Sequence, residues 1–243
     1  MTKYYGYEEQ RDMPVTPDFA GYLDSKKTAV VSIDMHEGHL SEDPDCPCPA
    51  PRGRTVIEAI DSFHAQAREL GVPVIHVVST LRNSGVDDSK GIPAAWRLTM
   101  PEYFGPIPGA PLHGLQGSRW TQLCTHVDER DEIIDSKRRL SAFYPTDLDF
   151  VLRQMGVENV VFTGVNVDCC ILNSSFDASN RNYRVIVLKD ASAGTDERLE
   201  AAGRTIVSLF LGVVMDSHEL IRAWANSAST FDEITEAKEP LTA

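Results

Sequence analysis

No stretch of the 243 residues approaches the roughly 20 consecutive apolar side chains that a bilayer-crossing helix needs, so no membrane partner is expected. Positive charge is also short: 23 Lys and Arg face 36 Asp and Glu, the net charge is −13, and no run of basic residues exceeds the three of Lys137-Arg138-Arg139. Such a chain repels a phosphate backbone, which argues against nucleic acid as a partner. The opening stretch MTKYYGYEEQRDMP lacks the apolar core of a secretory signal, and a cytoplasmic location is expected. Cysteine is scarce. Cys46, Cys48, Cys124, Cys169 and Cys170 make an odd count without framework-like spacing, and vicinal cysteines rarely pair because the geometry is strained. These thiols are expected to be reduced. There is no internal repeat, low-complexity tract or interdomain linker, so residues 1–243 are read as one domain.

What the chain does contain is an alternation of two patterns. Runs rich in Val and Ile occur at Thr28 to Asp34, Val72 to Thr80, Asp131 to Ser136, Glu158 to Val165, Tyr183 to Asp190 and Gly212 to Ser217, the composition of buried strands. Between them lie segments of helical period. Arg54 to Leu70 carries Val56, Ile57, Ile60, Phe63 and Ala67 on one stripe and is closed by Gly71. Thr146 to Gly156, Asp196 to Gly212 and His218 to Ser227 supply three more, the first with Thr146 as candidate N-cap and Gly156 as C-cap. This βαβ rhythm predicts an α/β domain of three layers, Rossmann-like, with a mostly parallel six-stranded sheet and helices on both faces.

Three regions stand outside the rhythm. Residues 1–27 read as an N-terminal extension. The proline-rich loop Ser41 to Pro51 can be neither helix nor central strand. The stretch 81–130 is a long insertion without a clear period that holds Trp96, Tyr103, Phe104, His113 and Trp120. Loops of that length in a compact domain usually serve function or an interface.

Ligands of open α/β sheets bind at the carboxyl ends of the strands, where strand order reverses. Asp34 ends the first predicted strand, Ser136 and Lys137 follow the third, and Thr163-Gly164 leads from the fourth into the cysteine pair. Taken singly, a strand-end Asp is usually a loop cap, a strand-end Lys is solvated and a free Cys is a small buried hydrophobe. An acid, an amine and a thiol at one sheet edge are together a candidate catalytic set. A thiol in the first helical turn, near an ammonium, is expected to have its pKa lowered from ~8.5 towards neutrality.

The stretches VVSIDMHEGHL and SKRRLSAFYPTDLDFVLRQMGVENVVFTGVNVDCCILNSSFDASNRNYRVIVLKDA, with the spacing between them, resemble the isochorismatase-like cysteine hydrolases over residues 28 to 220. That family includes nicotinamidase, N-carbamoylsarcosine amidohydrolase, and ureidoacrylate and biuret hydrolases. The resemblance implies an Asp34, Lys137, Cys170 triad, with Cys170 the nucleophile because it directly precedes Ile171, and Cys169 packed behind it. It also implies a cis peptide at Val165-Asn166, with the backbone N–H groups of Asn166 and Cys170 forming an oxyanion hole. In this reading Asp34 is general base and then general acid, Lys137 keeps it ionised, and a thioester forms and is hydrolysed.

Departures from the family shape the rest of the reading. His36 and His39 stand where many members have Gln and an aromatic ring, and Val167 replaces a Thr before the nucleophile. The nicotinamidase metal pattern, Asp-x-His with a further His after the second strand, finds neither His nor Asp at the matching place in VSTLRNSG. His36 and His39 with Cys46 and Cys48 depart from zinc spacing, so neither metal nor other cofactor is expected. His36, His39, Trp96 and Trp120 are read instead as substrate-pocket residues, and His64 and His76 as structural. The leading function is a cysteine amidohydrolase acting on a small linear amide of ureide, carbamoyl or biuret type. Weighed against it are a vinyl-ether hydrolase, in which the thiol is dispensable, and a catalytically silent binding member of the fold. The aromatic insertion further predicts a homo-oligomer, dimer or tetramer, with one subunit's insertion near another's active-site mouth.

Overall fold

A computed structural model describes residues 1–5, 9–87 and 95–236, with side chains described through Asn226; residues 88–94 of the insertion lie outside the described residues. The strands are β1 (Thr2–Tyr4), β2 (Gln10–Asp12), β3 (Thr28–Ile33), β4 (Val74–Ser79), β5 (Glu132–Lys137), β6 (Asn159–Val165), β7 (Arg184–Ala193) and β8 (Gly212–Met215). They form one sheet in the order β2-β1-β8-β7-β6-β3-β4-β5. The pairings from β8 through to β5 are parallel, while β1 pairs antiparallel with β2 and β8. The six predicted strands are thus the parallel part of an eight-stranded sheet. The extra two come from the N-terminal extension, where three-residue strands, one of them fully exposed, carry no readable alternation.

Every residue of β3, β4 and β6 is buried, because helices cover both faces of the sheet there. β5 lies at the edge and leaves Glu132, Ile133 and Asp135 exposed. One face packs α4 (Leu148–Gln154), α5 (Leu172–Asn180) and the turn leading into α5 through Leu148, Leu152, Ala178 and Ile171 onto Val31, Ile33, Val77 and Phe162. The other packs α2 (Ile57–Glu69) and α7 (Ser217–Glu236) through Ile60, Phe63, Leu220 and Trp224 onto Val30, Val74, Val161 and Val165. The helical segment predicted from Arg54 opens as 3-10 turns over Pro51–Val56 before α2 begins.

Chain direction across the sheet reverses beside β3: β4 and β5 lie to one side of it, β6, β7 and β8 to the other. At that reversal β3 and β6 approach closely. Gly164 has φ +106, and a Cβ there would stand 2.2 Å from the carbonyl oxygen of Ile33, so the close approach requires glycine.

Candidate active site

The carboxyl ends of β3, β4, β5 and β6 converge on one buried polar group. Asp34, the residue after β3, takes a left-handed backbone (φ 57), unusual outside glycine but tolerated by Asp, and its side chain is fully buried. Lys137, the last residue of β5, donates from Nζ to Asp34 Oδ2 at 2.6 Å and to Ser79 Oγ at 2.8 Å. Ser79 ends β4 and donates twice to Asp34 Oδ1, from its backbone N at 3.1 Å and from Oγ at 2.8 Å. The chain after β6 enters a five-residue π-helical turn, Val167–Ile171, which carries Cys170 to 3.4 Å from Lys137 Nζ. The Val165-Asn166 peptide just before that turn is cis.

This arrangement forms part of the floor of a cavity of about 690 Å³. Asn166 lines it from just before the π-helical turn, Asp168, Cys169 and Cys170 from within that turn, and Lys137, Arg138 and Arg139 from the end of β5. The insertion supplies a further wall through α3 (Ala95–Phe104), which presents Trp96, Met100, Tyr103 and Phe104.

The isochorismatase domain matches residues 28–219. This chain belongs to the isochorismatase family. Maleamate amidohydrolase of Pseudomonas putida is 28% identical over 166 residues, which are 68% of this chain and 71% of that protein. N-carbamoylsarcosine amidase of an Arthrobacter species is 25% identical over 165 residues, 68% of this chain but only 58% of that relative's length. Among solved structures, a cysteine hydrolase from Pseudomonas syringae pv. phaseolicola superposes with a TM-score of 0.71, covering 89% of this chain and 97% of that one at 20% identity, a likeness of fold.

Electrostatics set the resting state of this isochorismatase-family site. Burial alone pushes the Asp34 carboxyl up, yet the Lys137 ammonium and His36 outweigh it and hold the group well below the usual carboxylate range. Burial pulls Lys137 down, and the charge of Asp34 together with its hydrogen bond more than offsets that, so the group stays an ammonium. The Cys170 thiol is pushed up, first by its hydrogen bond with Cys169 and then by burial, with Lys137 opposing. The sequence-based expectation of a lowered Cys170 pKa is therefore corrected. A buried sulfur hydrogen-bonded to a second sulfur and close to a carboxylate favours the thiol at rest.

Cys169 is half-buried and lines the cavity beside Cys170, where the sequence reading packs it behind. His36 is fully buried and turned to Asp34, with Nε2 3.7 Å from Oδ1, so it touches the carboxylate and not the cavity. His39 and Trp96 do line the cavity. Trp120 does not. It is buried beneath the Arg119 guanidinium, 4.0 Å from its ring, and its backbone packs on Gly38. His64 and His76 lie behind the sheet, bonded to Thr163 Oγ1 and Asp131 Oδ2. Two site residues escape the sequence reading. Ser79 stands at a strand end like Asp34 and Lys137, directly opposite Lys137 in register, which is a signal the sequence does hold. His113 comes from the aperiodic insertion, positioned because Leu81 N donates to Gly114 O and Gln116 N to Leu81 O.

Proposed function

We propose that this protein is a cysteine-dependent amidohydrolase that cleaves the C–N bond of a small linear amide, of ureide, carbamoyl or biuret type, through a thioester on Cys170. The observation that carries the reading is the unbroken polar chain from Asp34 through Lys137 to Cys170 Sγ, buried at the floor of a substrate-sized cavity. Asp34 takes the thiol proton as Cys170 Sγ attacks the amide carbon, and the Lys137 ammonium offsets the negative charge on sulfur. The backbone N–H groups of Asn166 and Cys170 receive the oxygen of the tetrahedral intermediate, each donor worth on the order of 3 kcal/mol in the transition state. The proton on Asp34 passes to the departing nitrogen, which leaves as ammonia or an amine. Asp34 then takes a proton from the water that attacks the thioester and passes it to the departing Cys170 sulfur, which releases the acid and restores both the thiol and the carboxylate.

The names of the relatives, maleamate amidohydrolase and N-carbamoylsarcosine amidase, support amide hydrolysis over ether cleavage. Arg97, Arg138 and Arg139 on the cavity wall outnumber Asp87 and Asp168, which favours an amide with a negatively charged end. The test is ammonia release over a panel of carbamoyl, ureido and half-amide acids with two variants. Cys170→Ala should abolish turnover with the fold intact, because no other group replaces the nucleophile, and Cys169→Ala should keep most of it. Equal losses from both would overturn the assignment of the nucleophile, and ether hydrolysis surviving in Cys170→Ala would overturn the amidase reading.

A further inference from the structure

In the company of Cys46 and Cys48 alone, His36 and His39 make a poor metal site. The fold supplies a different third partner. His113 sits with its ring centroid 5.2 Å from His39 and 6.2 Å from His36, and the His36 and His39 rings are 4.6 Å apart. One nitrogen from each ring lies within 4.8 Å of the others, and all three side chains are buried. None of them belongs to the Val78 to Gly85 stretch after the second predicted strand.

Their hydrogen bonding is incomplete in a telling way. His39 donates from Nδ1 to the Cys48 carbonyl at 2.7 Å, which fixes its tautomer and leaves Nε2 as a free lone pair, the usual state of a metal-binding imidazole. Neither nitrogen of His113 has a hydrogen-bond partner, and His36 Nε2, which carries the ring proton because Nδ1 accepts from Gly38 N–H, stands 3.7 Å from Asp34 Oδ1, beyond hydrogen-bond reach. Orphan nitrogens gathered in one buried spot are not explained by packing, since buried polar groups are normally paired.

We propose that His36, His39 and His113 bind one divalent transition-metal cation, zinc or a close relative such as cobalt, with the fourth coordination position open to the cavity that holds Cys170. Tetrahedral nitrogen ligands ~2.1 Å from zinc stand about 3.4 Å apart, so the rings need close by only on the order of 1 Å. An all-imidazole set suits these metals over magnesium or calcium. Coordination through His36 Nε2 moves its proton to Nδ1 and gives up the 3.1 Å contact from Gly38 N–H. In return the cation gains the Asp34 carboxylate, 3.7 Å from that nitrogen, as a neighbour of opposite charge. Three protein ligands and one open position are the pattern of a metal that takes a small molecule. Because His39 and His113 face the cavity, the open position would hold an oxygen or nitrogen of the substrate away from the scissile carbon. That use rests on the amidohydrolase reading; the site itself does not.

Chelator-treated full-length protein titrated with Co2+ should develop d–d absorption that saturates near one equivalent per chain, and zinc-loaded protein should keep about one zinc through gel filtration, read by elemental mass spectrometry. His39→Gln and His113→Gln should each weaken Co2+ binding by roughly 100-fold or more. Cys170→Ala should bind Co2+ as the wild type does, which separates failure of this site from failure of the amidase reading. Absence of d–d bands, zinc far below one per chain, a near-ultraviolet thiolate-to-cobalt band showing cysteine ligands, or unchanged binding by both histidine variants would each overturn the proposal. Should the variants fail to fold, the wild-type titration decides alone.

Discussion

Replacing Lys137 with methionine puts the centre of the site under direct load. Asp34 and Lys137 side chains are 0% and 2% exposed, with Nζ and Oδ2 2.6 Å apart. Unit charges at that separation attract by about 6 kcal/mol at an effective dielectric of ~20, and the desolvation of both groups cancels much of this. Methionine keeps most of the volume but leaves the buried carboxylate with its Ser79 hydrogen bonds and no ammonium. Lys137→Met should therefore lose about 3–5 kcal/mol of stability, roughly 6 to 20 °C in Tm for a chain of this size. The double variant Asp34→Asn with Lys137→Met removes both charges and should recover most of that loss, although neither variant should turn over substrate. Acid should also act on the single variant with a distinctive sign. In the wild type the folded-state Asp34 pKa lies below its ordinary value of 3.8, so its stabilisation is present above 3.8 and fades as pH falls through the folded-state value. Without Lys137, burial dominates and the folded-state pKa rises above 3.8. The folded variant then binds a proton that the unfolded chain does not, and it gains stability relative to wild type as pH falls towards 4. Urea unfolding at pH 7 and pH 5 reads both effects. A single variant within about 1 kcal/mol of wild type at pH 7, or a double variant no more stable than the single, would refute the electrostatic account.

Behind the sheet, burial followed by the neighbouring His76 pushes His64 down to about 3 from an ordinary 6.5. Between those values the unfolded chain holds the extra proton, so stability should fall as pH drops from about 6.5, by at most ~1.4 kcal/mol per pH unit from this residue. His64→Leu should flatten that dependence in urea unfolding at pH 7 and 5, and an unchanged slope would count against a neutral His64. For assembly, Leu98, Tyr103 and Phe104 on α3 remain 58%, 65% and 48% exposed, while Trp120 is covered by its own chain. Light scattering should give a multiple of the 26.9 kDa chain mass; a value near one chain would refute the homo-oligomer. If the insertion shares a neighbour's site, mixing Cys170→Ala subunits with insertion variants should restore activity in some hybrids.

The central sheet was legible because strands buried on both faces must be almost wholly apolar, as in TAVVSI and VIHVVS, and such runs survive any ambiguity of period. Asp34 and Lys137 could be found because they are polar residues at the ends of such runs. Ser79 could have been found by the same rule applied to the second strand. The short β1 and β2 could not, since their pairing is set by the sheet edge they join and not by side-chain alternation. Nor could the gathering of His113 with His36 and His39, which depends on the backbone bridge between Leu81 and Leu115. The protonation of the cysteine pair likewise depends on burial that only the folded chain displays.

Lys137 rides on the outermost strand of the sheet, paired on one side only, while Asp34 and Cys170 are anchored near its middle. Edge strands open at lower free energy than the strands they flank. Fraying of β5 would withdraw the ammonium while the rest of the core stays packed. The carboxylate and the sulfur would then face each other without the cation between them, and the site would fall silent in a molecule that every bulk probe still reports as folded. Catalytic competence is in this sense a more sensitive gauge of the sheet's margin than its unfolding curve.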